Sequence, residues 1–112
     1  MELIRELPVG NVLFVQAEVD DVLVTVFVGD SQYVPSESIM VMVDKGDSLI
    51  RGDLISSNGK DTLNFSRNFE GLGLQVEVTL EYVPMKKWLK RPQSRFQIAR
   101  DIVRGNLRIY RI

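Results

Sequence analysis

Nine consecutive residues, Leu74 to Tyr82, alternate without a fault. Leu74, Val76, Val78, Leu80 and Tyr82 are apolar, while Gln75, Glu77, Thr79 and Glu81 between them are polar. Side chains of a strand point alternately to its two faces, so this segment can bury one face only as a β-strand. A second stretch constrains the chain as tightly. Val12 to Val19 and Val22 to Val28 flank Asp20-Asp21. A two-residue hairpin loop sets Val19 against Val22, Ala17 against Val24, Val15 against Val26 and Leu13 against Val28, all apolar. The other face then carries Glu18 opposite Leu23, Gln16 opposite Thr25 and Phe14 opposite Phe27. That last pair is an apolar spot on a more polar face, suited to being covered.

Turn chemistry divides the rest. Gly29 to Ser38 reads as a connection containing Pro35. Ile39 to Val43 reads as a short strand buried on both faces, and Lys45-Gly46-Asp47 as a break. Asn58-Gly59 is a strong hairpin signal and predicts Leu54 opposite Leu63 and Ile55 opposite Thr62. Ser66 to Gly73 reads as a loop, Pro84 ends the long strand, and Leu107 to Ile112 reads as a closing strand. Between them, Ser94-Arg95-Phe96-Gln97 matches a capping box, Pro92 suits a helix entrance and Gly105 an exit. Phe96, Ile98, Ala99, Ile102 and Val103 fall within about 160° of a helical wheel turning about 100° per residue. The expected fold is therefore mainly β (α+β). It has one domain over residues 1–112, with an antiparallel sheet as a small barrel or two layers, and residues 85–112 form a basic helix-strand segment.

Composition removes several chemistries. The chain has 112 residues, 45% apolar and 26% charged, which suits a folded domain with its own core. It has no cysteine and no histidine. Disulfides, thiolate ligands, a cysteine nucleophile and the commonest general base and zinc ligand are all absent. No run approaches the ~20 apolar residues of a membrane helix. The first residues, Met1-Glu2-Leu3-Ile4-Arg5-Glu6, lack the pattern of a secretory signal, so a cytoplasmic protein is the expectation.

No catalytic constellation stands out, and the expectation is a protein that is not an enzyme and takes no cofactor. Asp44, Asp47 and Asp53 lack calcium-loop spacing. Glu18, Asp20 and Asp21 sit at a hairpin tip, Ser56-Ser57 lacks a base, and Gly71-Leu72-Gly73 precedes a strand where a phosphate loop precedes a helix. Arg51-Gly52-Asp53 matches an adhesion tripeptide by chance.

The charges are unevenly placed. Formal net charge is −1, yet residues 1–84 hold 14 acidic and 5 basic side chains, and residues 85–112 hold 9 basic and 1 acidic. The basic set is Lys86, Lys87, Lys90, Arg91, Arg95, Arg100, Arg104, Arg108 and Arg111, with Trp88 among the first four. One reading is a cationic C-terminal surface that engages an acidic protein partner or another copy of the chain. Its candidate contacts are Lys86, Lys87, Trp88, Lys90, Arg91, Arg95, Arg100 and Arg104. A second is a small nucleic-acid-binding protein, with Lys86, Lys87, Lys90 and Arg91 meeting phosphates and Trp88 stacking on a base. A third is that the basic segment packs on the acidic body of the same molecule.

Two short stretches carry family resemblances. Gly52 to Lys60, Gly-Asp-Leu-Ile-Ser-Ser-Asn-Gly-Lys, resembles the Gly-Asp-x-Ile-x-x-x-Asn-Gly stretch of PDZ domains. The Gly-Leu-Gly-Phe loop of that family does not precede it, and no peptide-binding residue is carried over. Val12 to Asp20 is similar to the opening strand of small cyanobacterial and chloroplast proteins found as a peripheral V subunit of the photosynthetic NDH complex. That resemblance implies a peripheral subunit of a photosynthetic complex.

Overall fold

The structure is a computed structural model that describes residues 1–29, 34–83 and 100–112. Eight strands follow in order: β1 (Glu2–Pro8), β2 (Phe14–Val19), β3 (Val22–Val28), β4 (Ser38–Lys45), β5 (Ser48–Ser56), β6 (Thr62–Phe69), β7 (Leu74–Tyr82) and β8 (Ile102–Arg111). They form two four-stranded antiparallel sheets, ordered β1-β8-β7-β6 and β2-β3-β4-β5. Every hydrogen-bonded pair except β1–β8 joins neighbours in sequence. The chain is thus an up-and-down meander split into two layers at the β1/β2 and β5/β6 crossings.

The hairpin around Asp20-Asp21 has the register its pattern demands, from Val19↔Val22 to Phe14↔Phe27. β3 continues it, pairing Val24 with Val43, Val26 with Val41 and Val28 with Ile39. The inward residues of this sheet meet those of the other: Val24, Val26, Ile39, Val41 and Val43 pack with Leu74, Val76, Val78, Leu107 and Ile109, all essentially without solvent contact. Two apolar faces brought together remove both from water, the main stabilising contribution in a sandwich.

Four expectations need correcting. First, the described residues include no α-helix. Ile102 to Gly105, expected to close a helix, open β8, and Ser94 to Ala99 lie outside the described residues. Over this stretch β8 pairs with β7, its other edge is met by the Val9 N–H and the Asn11 side chain, and Val103 faces solvent where the wheel would bury it. Gly105 is not a helix exit. A Cβ there would lie 2.6 Å from both a Leu80 methyl and the Val9 carbonyl oxygen, while the Val9 N–H donates to Gly105 O at 3.0 Å. Glycine is required because the backbone of the β1–β2 crossing presses against β8 here.

Second, Asn58-Gly59 makes a tight turn but not a hairpin. Both residues have positive φ (54° and 80°), and the Lys60 N–H donates to Ser57 O at 3.0 Å. Its two arms enter different sheets: Leu54 pairs with Met40, and Leu63 with Leu80. The turn residues therefore report local backbone shape and not which strands pair. Third, Ser66 to Phe69 are not loop but the end of β6, whose pattern is hidden by Arg67 at an inward position between Phe65 and Phe69. Only Glu70–Leu72 form a 3₁₀ turn, which ends at Gly73 with φ +68°. Fourth, Ile39–Val43 is buried on one face only, since Met40 and Met42 are half-buried on the other.

Asn11 also joins the layers. Its side-chain oxygen accepts from the Ile102 N–H at 2.9 Å, and its amide donates back to the Ile102 carbonyl at 3.2 Å. This imitates a ladder pair at the first residue of β8.

Replacing Gly105 with alanine should lower unfolding free energy by about 1–3 kcal/mol, because the added methyl must displace Leu80 or the Val9 carbonyl. Urea titration measures this. An unchanged midpoint would contradict the close approach.

Candidate functional site

The basic residues singled out in the C-terminal quarter divide into two groups. Lys86, Lys87, Trp88, Lys90, Arg91 and Arg95 lie outside the described residues. Arg100, Arg104, Arg108 and Arg111 are described, and each has a carboxylate of its own chain within 4.0 Å.

Arg108 sits mid-β8 on the outward face of its sheet. Register places Glu6 of β1 on one side and Glu77 of β7 on the other. Its Nε donates to Glu6 at 2.5 Å and its Nη1 to Glu77 at 3.3 Å. These two hydrogen bonds are the chief reason that its pKa is raised further. Arg104, on the same face beyond Asn106, is mostly exposed, with Glu81 at 3.9 Å. A shallow polar depression of about 230 Å³ lies beside these two, floored by Thr62, Asn64, Thr79 and Asn106.

Arg100 differs. Its side chain is only 1% exposed, at the end of the sandwich where β7 ends and β8 begins. Nε donates to Glu37 Oε1 at 2.7 Å, and Nη2 bonds to the same oxygen. Nη1 donates to Asp61 at 2.6 Å, and Nη2 also reaches the Lys60 carbonyl at 2.5 Å. Burial opposes its charge most strongly. Hydrogen bonds and attraction from Glu37 and Asp61 outweigh that penalty, so its pKa stays above the ordinary value. The guanidinium lies over the Tyr82 ring, 5.3 Å from its centroid.

Glu37 is held in turn. It occupies the left-handed region at φ +58°, which disfavours a residue with a Cβ. Its carboxylate accepts from Ser57 Oγ at 3.3 Å, and its carbonyl accepts from the Ser57 N–H at 2.9 Å. The Asp61 carbonyl accepts from the Tyr82 N–H at 2.8 Å. One guanidinium thus ties the turn leading into β4, the β5–β6 crossing turn, the end of β7 and the start of β8.

Sequence reasoning singled out Arg100 as a partner contact but found neither Glu37 nor Asp61. They stand 63 and 39 positions away, and nothing local marks them. Among the described residues no three acidic side chains gather as a metal site would need. Asp44, Asp47 and Asp53 do not converge. No described helix is long and apolar enough to cross a membrane.

No family model matches the chain, and searches of curated proteins and of solved structures find no match. The Gly52–Lys60 stretch that resembles a PDZ segment is the end of β5 and the crossing turn, whose arms do not pair with each other.

Tyr82 supplies a test of the cluster. Its ring is 4% exposed and its hydroxyl has no hydrogen-bond partner among the described residues. Burial chiefly, then the Glu37 carboxylate, push its pKa up to about 12, against the opposing pull of Arg100. The folded protein keeps this proton where the unfolded chain, with an ordinary phenol near ~10, loses it. The resulting stability is complete below pH ~10 and drains away by roughly 2–3 kcal/mol as pH rises to ~12. Tyr82→Phe should remove that part of the alkaline loss, as read by urea titrations on either side of the window. Parallel losses in both proteins would refute the burial of this phenol.

Proposed function

We propose that this chain is a non-catalytic binding or assembly module. The cations of its C-terminal quarter engage an acidic protein surface or another copy of the chain. The observation that supports this reading is how the charges divide. In the described part, Arg100 and Arg108 are held by their own carboxylates, and 14 acids stand against 9 cations. The five remaining cations, Lys86, Lys87, Lys90, Arg91 and Arg95, fall in a stretch without a single acid. A cluster of one sign attached to a body of the other favours oriented association and makes it sensitive to salt.

The buried acids support the non-catalytic part of the reading. Glu37 Oε1 is engaged by a guanidinium and a serine hydroxyl, and the Ser57 hydroxyl points at that carboxylate, so neither group is presented to a substrate. The outward sheet face around Arg104 and Asn106 is shallow and open, unlike the concave sites that enclose small ligands.

Replacing Lys86, Lys87, Lys90 and Arg91 together with alanine should abolish low-salt association, seen by light scattering as loss of a species that raised salt also dissolves. A chain that stays monomeric and binds no acidic protein at either salt concentration refutes the reading. Salt-dependent quenching of Trp88 by single-stranded oligonucleotides would replace it with nucleic-acid binding.

A further inference from the structure

β5 is an edge strand. Among the described residues it pairs with β4 on one side, and its sheet order ends there. Nine residues long, it is exposed along most of its length, including the large apolar side chains Leu49 (55%), Ile50 (46%) and Leu54 (55%). A bulge contributes to this. The register passes from Val43↔Arg51 to Asp44↔Leu49, so Ile50 is an extra residue left without a partner on β4. Exposed apolar edges invite pairing with another chain, and folded proteins usually blunt them.

The sequence of this edge complements itself. β5 reads Ser-Leu-Ile-Arg-Gly-Asp-Leu-Ile-Ser from Ser48 to Ser56. Laid antiparallel on a second copy with Gly52 against Gly52, each position from Ile50 to Leu54 meets a matching one. Arg51 faces Asp53 of the other copy, and Asp53 faces Arg51. Ile50 faces Leu54; beyond it the bulge turns Leu49 to the outward face, opposite Asp44, whereas Ile55 points inward, so the matched stretch ends there. A two-fold interface requires that residue i meet j while j meets i, and this strand satisfies the requirement in chemistry as well as in position. Shifting the register by one residue would set Arg51 against Gly52 or Leu54 and lose the match.

From this we infer that β5 is a self-association edge. Two copies of the chain join β5 to β5 antiparallel about a two-fold axis at Gly52, making one continuous eight-stranded sheet. Main-chain hydrogen bonds along the edge supply the attraction, and the Arg51–Asp53 pairs set the register. The charges are already in position. Arg51 Nε bonds both oxygens of Asp53 of its own chain, at 3.1 and 3.2 Å, and Arg67 Nε of β6 stands 3.1 Å from the same carboxylate. Arg67 thus holds Asp53 at the edge, while Arg51, about half-exposed, can turn to the facing copy. Joining also extends an apolar row. Phe14, Phe27, Met40 and Leu54 lie side by side across the outward face of the four strands, and Ile50 of the second copy continues the row. The Phe14 and Phe27 rings are 5.8 Å apart at the far end. The interface uses none of the C-terminal cations, so it stands apart from the function proposed above.

Because the chain has no cysteine, a single one is a clean probe. In Gly52→Cys the new side chain has room, since among the described residues a Cβ there meets only the Met40 sulfur at 3.9 Å. Facing residues of antiparallel strands have Cα atoms roughly 4.5–5.5 Å apart, within disulfide reach. Mild oxidation of the full chain should convert most of Gly52→Cys to a covalent dimer. Asn64→Cys, on the outward face of the other sheet, should remain monomeric under the same treatment. Arg51→Asp and Asp53→Arg should each weaken self-association roughly tenfold or more, and an equimolar mixture of the two should restore it as a heterodimer. Replacing Lys86, Lys87, Lys90 and Arg91 with alanine should leave the Gly52→Cys cross-link intact, which separates the two interfaces. A Gly52→Cys protein that stays monomeric, or a mixture of the charge variants that does not recombine, overturns the inference. Arg51 and Asp53 would then serve only to seal their own sandwich edge.

Discussion

Arg100 is the point at which separate parts of this fold are bound to one another. A meander split into two layers has little hydrogen bonding where the chain crosses between sheets, and the β5–β6 crossing sits at one end of the sandwich. There a single buried guanidinium reaches Glu37, Asp61 and the Lys60 carbonyl and lies over Tyr82. Burying that charge is costly, and removing Glu37 would strip the guanidinium of its buried partner, leaving it the half-exposed Asp61 and a carbonyl. The left-handed Glu37 adds to the cost. Hydrogen bonds from Arg100 and Ser57 to its carboxylate offset it, so the backbone conformation and the ion pair depend on each other.

Other polar contacts at the edges of the sandwich follow the same logic on a smaller scale. Where β5 and β6 part, Asp53 is shared between Arg51 and Arg67. Where β1 and β2 part, Arg5 donates to the Glu18 carbonyl at 3.0 Å, and Arg111 approaches Asp20 at 3.8 Å. The apolar layers supply most of the stabilisation and are tolerant of which strand lies beside which. The charged contacts between layers favour one arrangement.

Segments whose burial repeats every second residue were legible in the sequence. The register of β2 and β3 and the extent of β7 follow from alternation alone, because a one-residue slip would expose a whole apolar face. Strands with a weaker pattern escaped. The inward Arg67 made the end of β6 look like a loop. The opening of β8 satisfied a helical wheel because Ile102 and Val103 are apolar in either conformation, and pairing with β7 and the Asn11 bonds decide between them. Asn58-Gly59 announced a turn but not its destination. The basic C-terminal quarter was visible as a composition shift, whereas the carboxylates that occupy Arg100 and Arg108 come from β1, β7 and two distant connections that only the tertiary fold brings near. The self-complementary reading of β5 was present in the letters from the start. It became meaningful only once that strand was found at the edge of a sheet.

The measurement that bears most directly on this account is a double-mutant cycle between Glu37 and Arg100. It compares the unfolding free energies of the parent chain, Glu37→Gln, Arg100→Met and the double variant. A mutually dependent pair predicts that each single change costs about 3–5 kcal/mol and that the double costs much less than their sum, with a coupling of at least ~1 kcal/mol. Additive losses, agreeing within ~0.5 kcal/mol, would show that the two residues act independently and that the fold does not hinge on their contact.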